Sequence, residues 1–354
     1  MPRVDQIQVG FAEGDAISAE ALILQRILRG WGLASDVFAD PRFVSPLSRD
    51  VCRPLSDYAA APGDVVLHHY SIASPAVEVF LRSPARKILV YHNITPERFY
   101  RGYDDGVADR LREARAVMPA LVARADALWA VSAYDAEELR ALTPAAVRVF
   151  PLLFDPASLD RAPDANVRKK FPVPMTNILF VGRMAPNKRI EDLIRAFAWY
   201  YWTLNRNSRL MIVGSERSAP RYYLMLRMLA LEYNVPNVCF ERYASTHGLP
   251  GYYRLADLFV TASDHEGYCL PVVEAMHRGV PVVARRTGGI PEAMGQGGVL
   301  YEDATPRELA VLMHRAISDV ALRKEILASQ DRRMAELRAR RPEEELKALL
   351  ADFL

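Results

Sequence analysis

Glu266 and Glu274 flank the stretch Gly267-Tyr268-Cys269-Leu270-Pro271-Val272-Val273. The run Ala256-Asp257-Leu258-Phe259-Val260-Thr261 before them reads as a buried strand. Pro271 suits the first turn of a helix, because its φ is fixed and its missing N–H is not needed there. One carboxylate is therefore placed in a strand-to-helix loop and the other in the helix's first turn. In a doubly wound sheet such loops lie at the carboxyl ends of strands, where amides and helix N-termini receive anionic ligands. Carboxylates accept hydrogen bonds from paired hydroxyls, so the combination suits a phosphorylated polyol such as a nucleotide sugar. Two glutamates around a helix start also serve as plain partners of the helix dipole, and their spacing alone leaves that alternative open.

A second constellation precedes this one. Asn177-Ile178-Leu179-Phe180-Val181 is a continuous apolar strand, followed by Gly182-Arg183-Met184-Ala185-Pro186-Asn187-Lys188 and then a helical pattern with Ile190, Leu193, Ile194, Phe197 and Tyr201 on one face. Arg183 and Lys188 flank a glycine turn at a helix start, where charge and amides together can hold a diphosphate. Trp199, Tyr200 and Trp202 lie off the apolar stripe of that helix; packing against a neighbouring helix accounts for them, with an oligomer or membrane-facing patch as the alternative.

The elements that must position these groups alternate along the chain. Candidate strands at Ile7–Phe11, Ala34–Phe38, Asp64–His68, Lys87–Tyr91, Ala127–Val131 and Val147–Phe150 are separated by helical stretches, the mark of a parallel sheet covered on both faces. In the first loop, Gly14-Asp15 lets a ligand approach the backbone closely. His68 and His69 end one strand and His92 and Asn93 the next, so polar side chains collect at one sheet edge, and His69 and Asn93 are candidates for acceptor contacts. Arg209–Gly214, Val238–Phe240 and Val280–Ala284 continue the alternation, and Gly288 and Gly289 after the last of these allow a close approach.

The run Ser263-Asp264-His265-Glu266-Gly267-Tyr268-Cys269-Leu270-Pro271-Val272-Val273-Glu274-Ala275-Met276 resembles the signature of family 4 retaining glycosyltransferases (glycosyl transferases group 1). The segments Gly182-Arg183…Lys188 and Thr287-Gly288-Gly289-Ile290-Pro291-Glu292 match the same family. The resemblance implies an α/β fold of the GT-B type, two Rossmann-like domains facing across a cleft. It also implies a donor site in which Glu274 accepts from ribose hydroxyls, Glu266 holds sugar hydroxyls, and Gly267, Tyr268, Cys269 and Leu270 offer backbone amides. Gly182, Arg183 and Lys188 would bind the diphosphate, and His92 would reach the donor sugar from the N-terminal domain. Tyr243 would lie near the nucleotide base, and Ser132 is delivered into the cleft or simply caps a helix. Relatives frequently carry glycine where Cys269 stands and a more glycine-rich loop around Gly14. The implied reaction retains anomeric configuration, with the leaving phosphate helping to deprotonate the acceptor, and needs neither metal nor cofactor.

At 354 residues, two domains are expected: 1–160 for the acceptor, a proline-punctuated linker at 161–174, 175–340 for the nucleotide sugar, and 341–354 crossing back onto the first domain. A net charge of +2 speaks against a nucleic-acid partner. Cys52, Cys239 and Cys269 show no zinc spacing and read as reduced thiols of a cytoplasmic protein. No run reaches the roughly 18 apolar residues of a membrane span, so any membrane contact is peripheral, at the inner face, with the Arg-rich stretch from Leu322 to Arg341 as its minor candidate. The expected partners are a UDP- or GDP-sugar donor and a glycan, lipid-linked or small-molecule acceptor, in cell-surface polysaccharide or glycoconjugate synthesis. A nucleotide-sugar epimerase of the same architecture and a noncatalytic nucleotide-sugar-binding protein are the alternatives. A dinucleotide oxidoreductase is disfavoured, since no GxGxxG follows a strand.

Overall fold

Val65–Tyr70 and Ser208–Val213 bury every side chain, the signature of parallel strands covered on both faces. Each anchors one of two parallel sheets in the computed structural model, which describes residues 2–162, 165–242 and 248–354. The chain divides into two units: Met1–Glu97, Ala108–Leu153 and Arg340–Leu354 in the first, Arg98–Val107 and Phe154–Ala339 in the second.

The first unit holds strands β1 (Val4–Gln8), β2 (Val37–Ala39), β3 (Arg53–Pro54), β4 (Val65–Tyr70), β5 (Arg86–Tyr91), β6 (Ala127–Ala130) and β7 (Val147–Val149). Their order is β3-β2-β1-β4-β5-β6-β7, all parallel. The first strand starts earlier than the apolar run at Ile7–Phe11 indicates, because Asp5 is a strand residue. Its carboxylate is buried but satisfied, accepting from the Arg3 guanidinium (3.1 Å) and the Asp36 N–H (2.9 Å).

The second unit holds β8 (Thr176–Val181), β9 (Ser208–Val213), β10 (Val238–Glu241), β11 (Leu258–Thr261), β12 (Val282–Arg285) and β13 (Val299–Tyr301). Their order, β10-β9-β8-β11-β12-β13, places the sequence-distant β8 and β11 side by side, so the loops that follow them are neighbours. The stretch 161–174, expected as a linker, contains the helix Ala165–Lys170, and Val167 on it packs under Gly251. Arg98–Val107 belongs with this unit too, the Tyr103 ring meeting Tyr222 edge-on at 5.2 Å.

The terminal helix Pro342–Leu349 is amphipathic, with Leu346 and Leu350 fully buried beside Val4, Leu24, Trp129 and Phe150 in the core of the first unit. Those leucines are part of the unit's main apolar cluster. Leu346→Ala should therefore destabilise the first unit by about 2–5 kcal/mol, read as a lower urea midpoint for that unit's transition. A midpoint unchanged by the substitution would show the helix to be dispensable.

Candidate functional site

In the second unit the site is built on the loops after β8 and β11. Gly182 and Gly214 end β8 and β9 with φ of 153° and 149°. A Cβ on Gly214 would lie 2.0 Å from the Gly182 carbonyl oxygen, so the two strand ends close on each other only because position 214 lacks a side chain. The chain then turns through Pro186–Lys188 and enters the helix Ile190–Thr203 from Arg189, itself left-handed at φ 50°. Asn187 ties this turn to the β11 loop, its Nδ2 donating to the His265 carbonyl (3.0 Å) and its carbonyl accepting from the Asp264 N–H (2.8 Å).

That cross-link brings Lys188 and Glu266 together. Lys188 Nζ donates to Glu266 Oε2 at 2.6 Å, and Ser263 Oγ donates to Glu266 Oε1 at 2.8 Å, so both carboxylate oxygens are held. The pair is largely shielded, at 14% and 9% side-chain exposure, where a charge pair is felt more strongly than at the surface. Arg183, one residue past Gly182, is exposed.

Glu274 sits on the helix Leu270–His277. Its Oε2 accepts from the buried Tyr253 hydroxyl at 2.6 Å. Burial raises the Glu274 carboxyl above the ordinary carboxylate range, with the Tyr253 hydrogen bond acting the other way. Cys269 caps this helix in the left-handed region, φ 74°, a conformation that favours glycine. Burial, and next the charge of Glu266, push its thiol far above the usual range, so it is not a reactive thiolate. Tyr268, Cys269 and Leu270 are all buried.

Gly288 and Gly289, expected to admit a ligand, are instead filled by protein. A Cβ on Gly288 would fall 2.0 Å from the Glu266 carbonyl oxygen and one on Gly289 1.9 Å from that of Gly267, while the Gly289 N–H donates to Glu266 O at 3.0 Å. The close approach belongs to the Glu266 loop itself. Tyr243 lies outside the described residues.

In the first unit Gly14 takes φ 79° with open space around it, and Asp15 caps the helix Ala16–Gly30 by accepting from Ser18 N–H. Ser132 caps the helix Ala133–Arg140 through the Asp135 N–H at 3.0 Å, so its hydroxyl serves that turn. Asn93, at φ 69°, is buried and donates to Asp135 Oδ1 at 2.5 Å. His69 and His92 do not present themselves to solvent, with side chains 0% and 2% exposed.

The hydrogen bonds assign the histidine tautomers. Gln6 Nε2 donates to the Ala21 carbonyl at 2.9 Å, leaving Gln6 Oε1 to accept from His69 Nε2–H at 2.9 Å. His69 Nδ1 is then a bare acceptor and takes the His92 Nε2 proton at 2.8 Å. His92 Nδ1 is left as a buried acceptor without a hydrogen-bond partner. Burial keeps both rings neutral, lowering His69 to about 3 and moving His92 in the same direction.

Glu20 lies against this pair, its Oε2 3.5 Å from His92 Nε2 and 3.8 Å from His69 Nδ1, its Oε1 accepting from Leu153 N–H. Burial pushes the Glu20 carboxyl up to about 8, against the Leu153 hydrogen bond and the charge of Arg340. Among the described residues this is the group of His and carboxylate side chains with ligand atoms close enough for a cation, all within 4.8 Å. The direct ring-to-ring hydrogen bond assigns the space between the histidines to a proton.

Sequence reasoning did not find Tyr253, Ser263, Asn187, Gln6 or Glu20. Ser263 and Asn187 stand inside the motifs and Tyr253 just ahead of β11, whereas Gln6 and Glu20 sit in apolar-patterned elements with no local signal. Two outcomes follow from this geometry. In Gly289→Ala the new methyl must displace the Gly267 carbonyl, so stability should fall and ligand binding at Glu266 should be lost together; a variant with wild-type melting would contradict the packing. For Glu20 the folded pKa of about 8 exceeds the unfolded 4.5, so its contribution to stability is complete below about 4.5 and is lost as pH rises through about 8. Glu20→Gln should flatten that decline in urea melts taken across this range, and a wild-type slope in the variant would refute the buried-acid assignment.

Residues 165–331 match the family described as glycosyl transferases group 1. Serotype-specific mannosyltransferase WbdA of Escherichia coli is 26% identical over 274 residues, covering 73% of this chain and 32% of the relative. D-inositol 3-phosphate glycosyltransferase of Acidothermus cellulolyticus is 31% identical over 222 residues, 58% of this chain and 49% of the relative. Lipopolysaccharide 1,2-N-acetylglucosaminetransferase of Salmonella typhimurium is 29% identical over 188 residues, 50% of this chain and 49% of the relative. The chain thus spans about a third to a half of the length of these relatives. Among solved structures, sucrose-phosphate synthase from Thermosynechococcus elongatus superposes with a TM-score of 0.74 at 20% identity, covering 99% of this chain and 98% of that one. Anabaena HepE in complex with UDP-glucose gives 0.72 at 20%, with 99% of each chain covered. The fold is α/β of the GT-B type, with two Rossmann-like domains.

Proposed function

We propose that this chain, whose residues 165–331 match the glycosyl transferases group 1, transfers a hexosyl group, with retention, from a nucleotide diphosphate sugar to an acceptor hydroxyl. The observation that carries the reading is the shielded Lys188–Glu266 pair on neighbouring strand-end loops, with Glu274 held by Tyr253 on the helix that follows. The donor is a UDP- or GDP-sugar, and the acceptor a glycan, lipid-linked or small-molecule alcohol of polysaccharide or glycoconjugate synthesis. The relatives named as mannosyl-, inositol phosphate glycosyl- and N-acetylglucosaminetransferases, and the UDP-glucose complex among the structural neighbours, support this class.

On this reading Glu274 accepts from the ribose hydroxyls, and Glu266 from hydroxyls of the sugar. Lys188 has one N–H committed to Glu266 and two left for the diphosphate, and Arg183, exposed in the same loop after β8, is the second cation. As the glycosidic bond breaks, negative charge grows on the leaving diphosphate, and fixed cations lower the barrier there because they need no reorganisation. The departing phosphate takes the acceptor proton on the same face.

Donor binding is read by thermal shift against uridine, guanosine and adenosine diphosphate sugars. A ligand at about 100 times its Kd adds about 2.7 kcal/mol, a rise of roughly 5–10 °C for a unit of this size. Glu274→Ala and Arg183→Ala should each abolish the shift given by the preferred donor. Full shifts in both variants would remove the donor site from these residues.

A further inference from the structure

The helix Pro220–Glu232 is apolar on two opposite faces. Tyr222, Leu226 and Ala230 are buried against the second unit. Leu224, Met228 and Leu231, spaced i, i+4 and i+7 on the other side, are 58%, 66% and 72% exposed. One buried face is what an amphipathic surface helix requires; a second apolar stripe in water has no part in that packing. Arg221 and Arg227 lie about 60° to either side of the stripe, at about 100° per residue, and neither is paired with a carboxylate among the described residues. Arg227 stacks on Tyr223 at 6.0 Å. At the helix end the indole of Trp202 donates to the Tyr233 carbonyl (3.1 Å), both rings are 40% exposed, and Arg206 covers Trp202 at 4.7 Å. Glu232 is the one acidic side chain of the helix, in its last turn.

We propose that this face docks the second unit on an anionic lipid surface, Leu224, Met228 and Leu231 entering the headgroup boundary while Arg221 and Arg227 reach lipid phosphates. Apolar residues flanked by arginines, with Trp and Tyr at the rim, are the composition of helices that lie in a membrane interface. A second copy of the chain fits the stripe poorly. A helix of 13 residues is about 20 Å long, too little for the roughly 800 Å² per partner of a stable interface, and pairing about Met228 would set the two Arg227 side chains against each other. The Arg-rich stretch from Leu322 to Arg341 is a weaker candidate, because its arginines are largely engaged: Arg333 with Glu336 and the Glu292 and Ala293 carbonyls, Arg338 with His277, Arg340 with Glu345 and Arg341 with Glu344. The proposal does not depend on the transferase reading.

The full chain is sedimented with vesicles of phosphatidylglycerol and phosphatidylcholine, and with phosphatidylcholine alone. Partitioning should favour the anionic vesicles and blue-shift the fluorescence of Trp202, a change absent in Trp202→Phe. The triple variant Leu224→Gln, Met228→Gln, Leu231→Gln should lower partitioning at least about tenfold, and Arg221→Gln with Arg227→Gln by about 10–30-fold. All five positions are exposed, so unchanged circular dichroism and melting establish that the variants fold. Failure of the wild type to sediment, undiminished binding of the triple variant, or a wild-type dimer that the triple variant converts to monomer would each overturn the proposal.

Discussion

The loop that carries Glu266 is shaped by backbone packing against backbone. The carbonyl oxygens of Glu266 and Gly267 occupy the positions that side chains at 288 and 289 would take, and the Gly289 N–H closes the contact. Two peptide segments this close leave one conformation for the Glu266 loop. Asn187 then fixes the neighbouring β8 turn to the same loop through two further hydrogen bonds. The Lys188–Glu266 pair is thus positioned by main-chain geometry before electrostatics adds anything. Gly182 and Gly214 repeat the device one strand over, where a side chain at 214 would meet the Gly182 carbonyl.

Within each unit, buried ionisable groups are matched to the charge state they can sustain. Glu266 has both carboxylate oxygens held, one by the Lys188 ammonium and one by the Ser263 hydroxyl. Among the described residues Glu274 has the Tyr253 hydroxyl as its donor, and burial raises its pKa. Glu20 has one backbone N–H and two neutral histidines, and burial holds its proton to about 8. In Glu20 and Glu274 few donors offset the burial, and a charge taken out of water is retained only where donors replace its hydration.

Strands buried on both faces write themselves as continuous apolar runs, which is why β4, β5, β8, β9 and β11 were legible within a few residues. β1 was displaced because Asp5 breaks its run, and a charge salt-bridged inside a sheet looks like a loop residue until its partners Arg3 and Asp36 are placed. β3, two exposed residues long, and β13, three half-buried ones, bury too little to leave a pattern. The Glu266–Glu274 motif was legible because close backbone packing restricts residue types at many neighbouring positions. What Gly288 and Gly289 accommodate was not, since a missing side chain reads the same whether a ligand or a carbonyl fills the space. The buried Gln6–His69–His92–Glu20 chain joins residues up to 86 positions apart and leaves no local spacing to read.

On the proposed reading, the pairing of Lys188 with Glu266 selects for a ligand that satisfies both. A nucleotide without its sugar would draw the ammonium toward phosphate and leave a shielded carboxylate short of a donor, at a cost of about 1–3 kcal/mol. A free sugar would offer hydroxyls to Glu266 but no charge to balance the ammonium it competes with. A nucleotide diphosphate sugar supplies the anion and the hydroxyl donors in one molecule, so each half of the pair exchanges its partner for an equivalent one. The discrimination arises because the two side chains are held 2.6 Å apart by loops that cannot separate without breaking the two Asn187 hydrogen bonds between them.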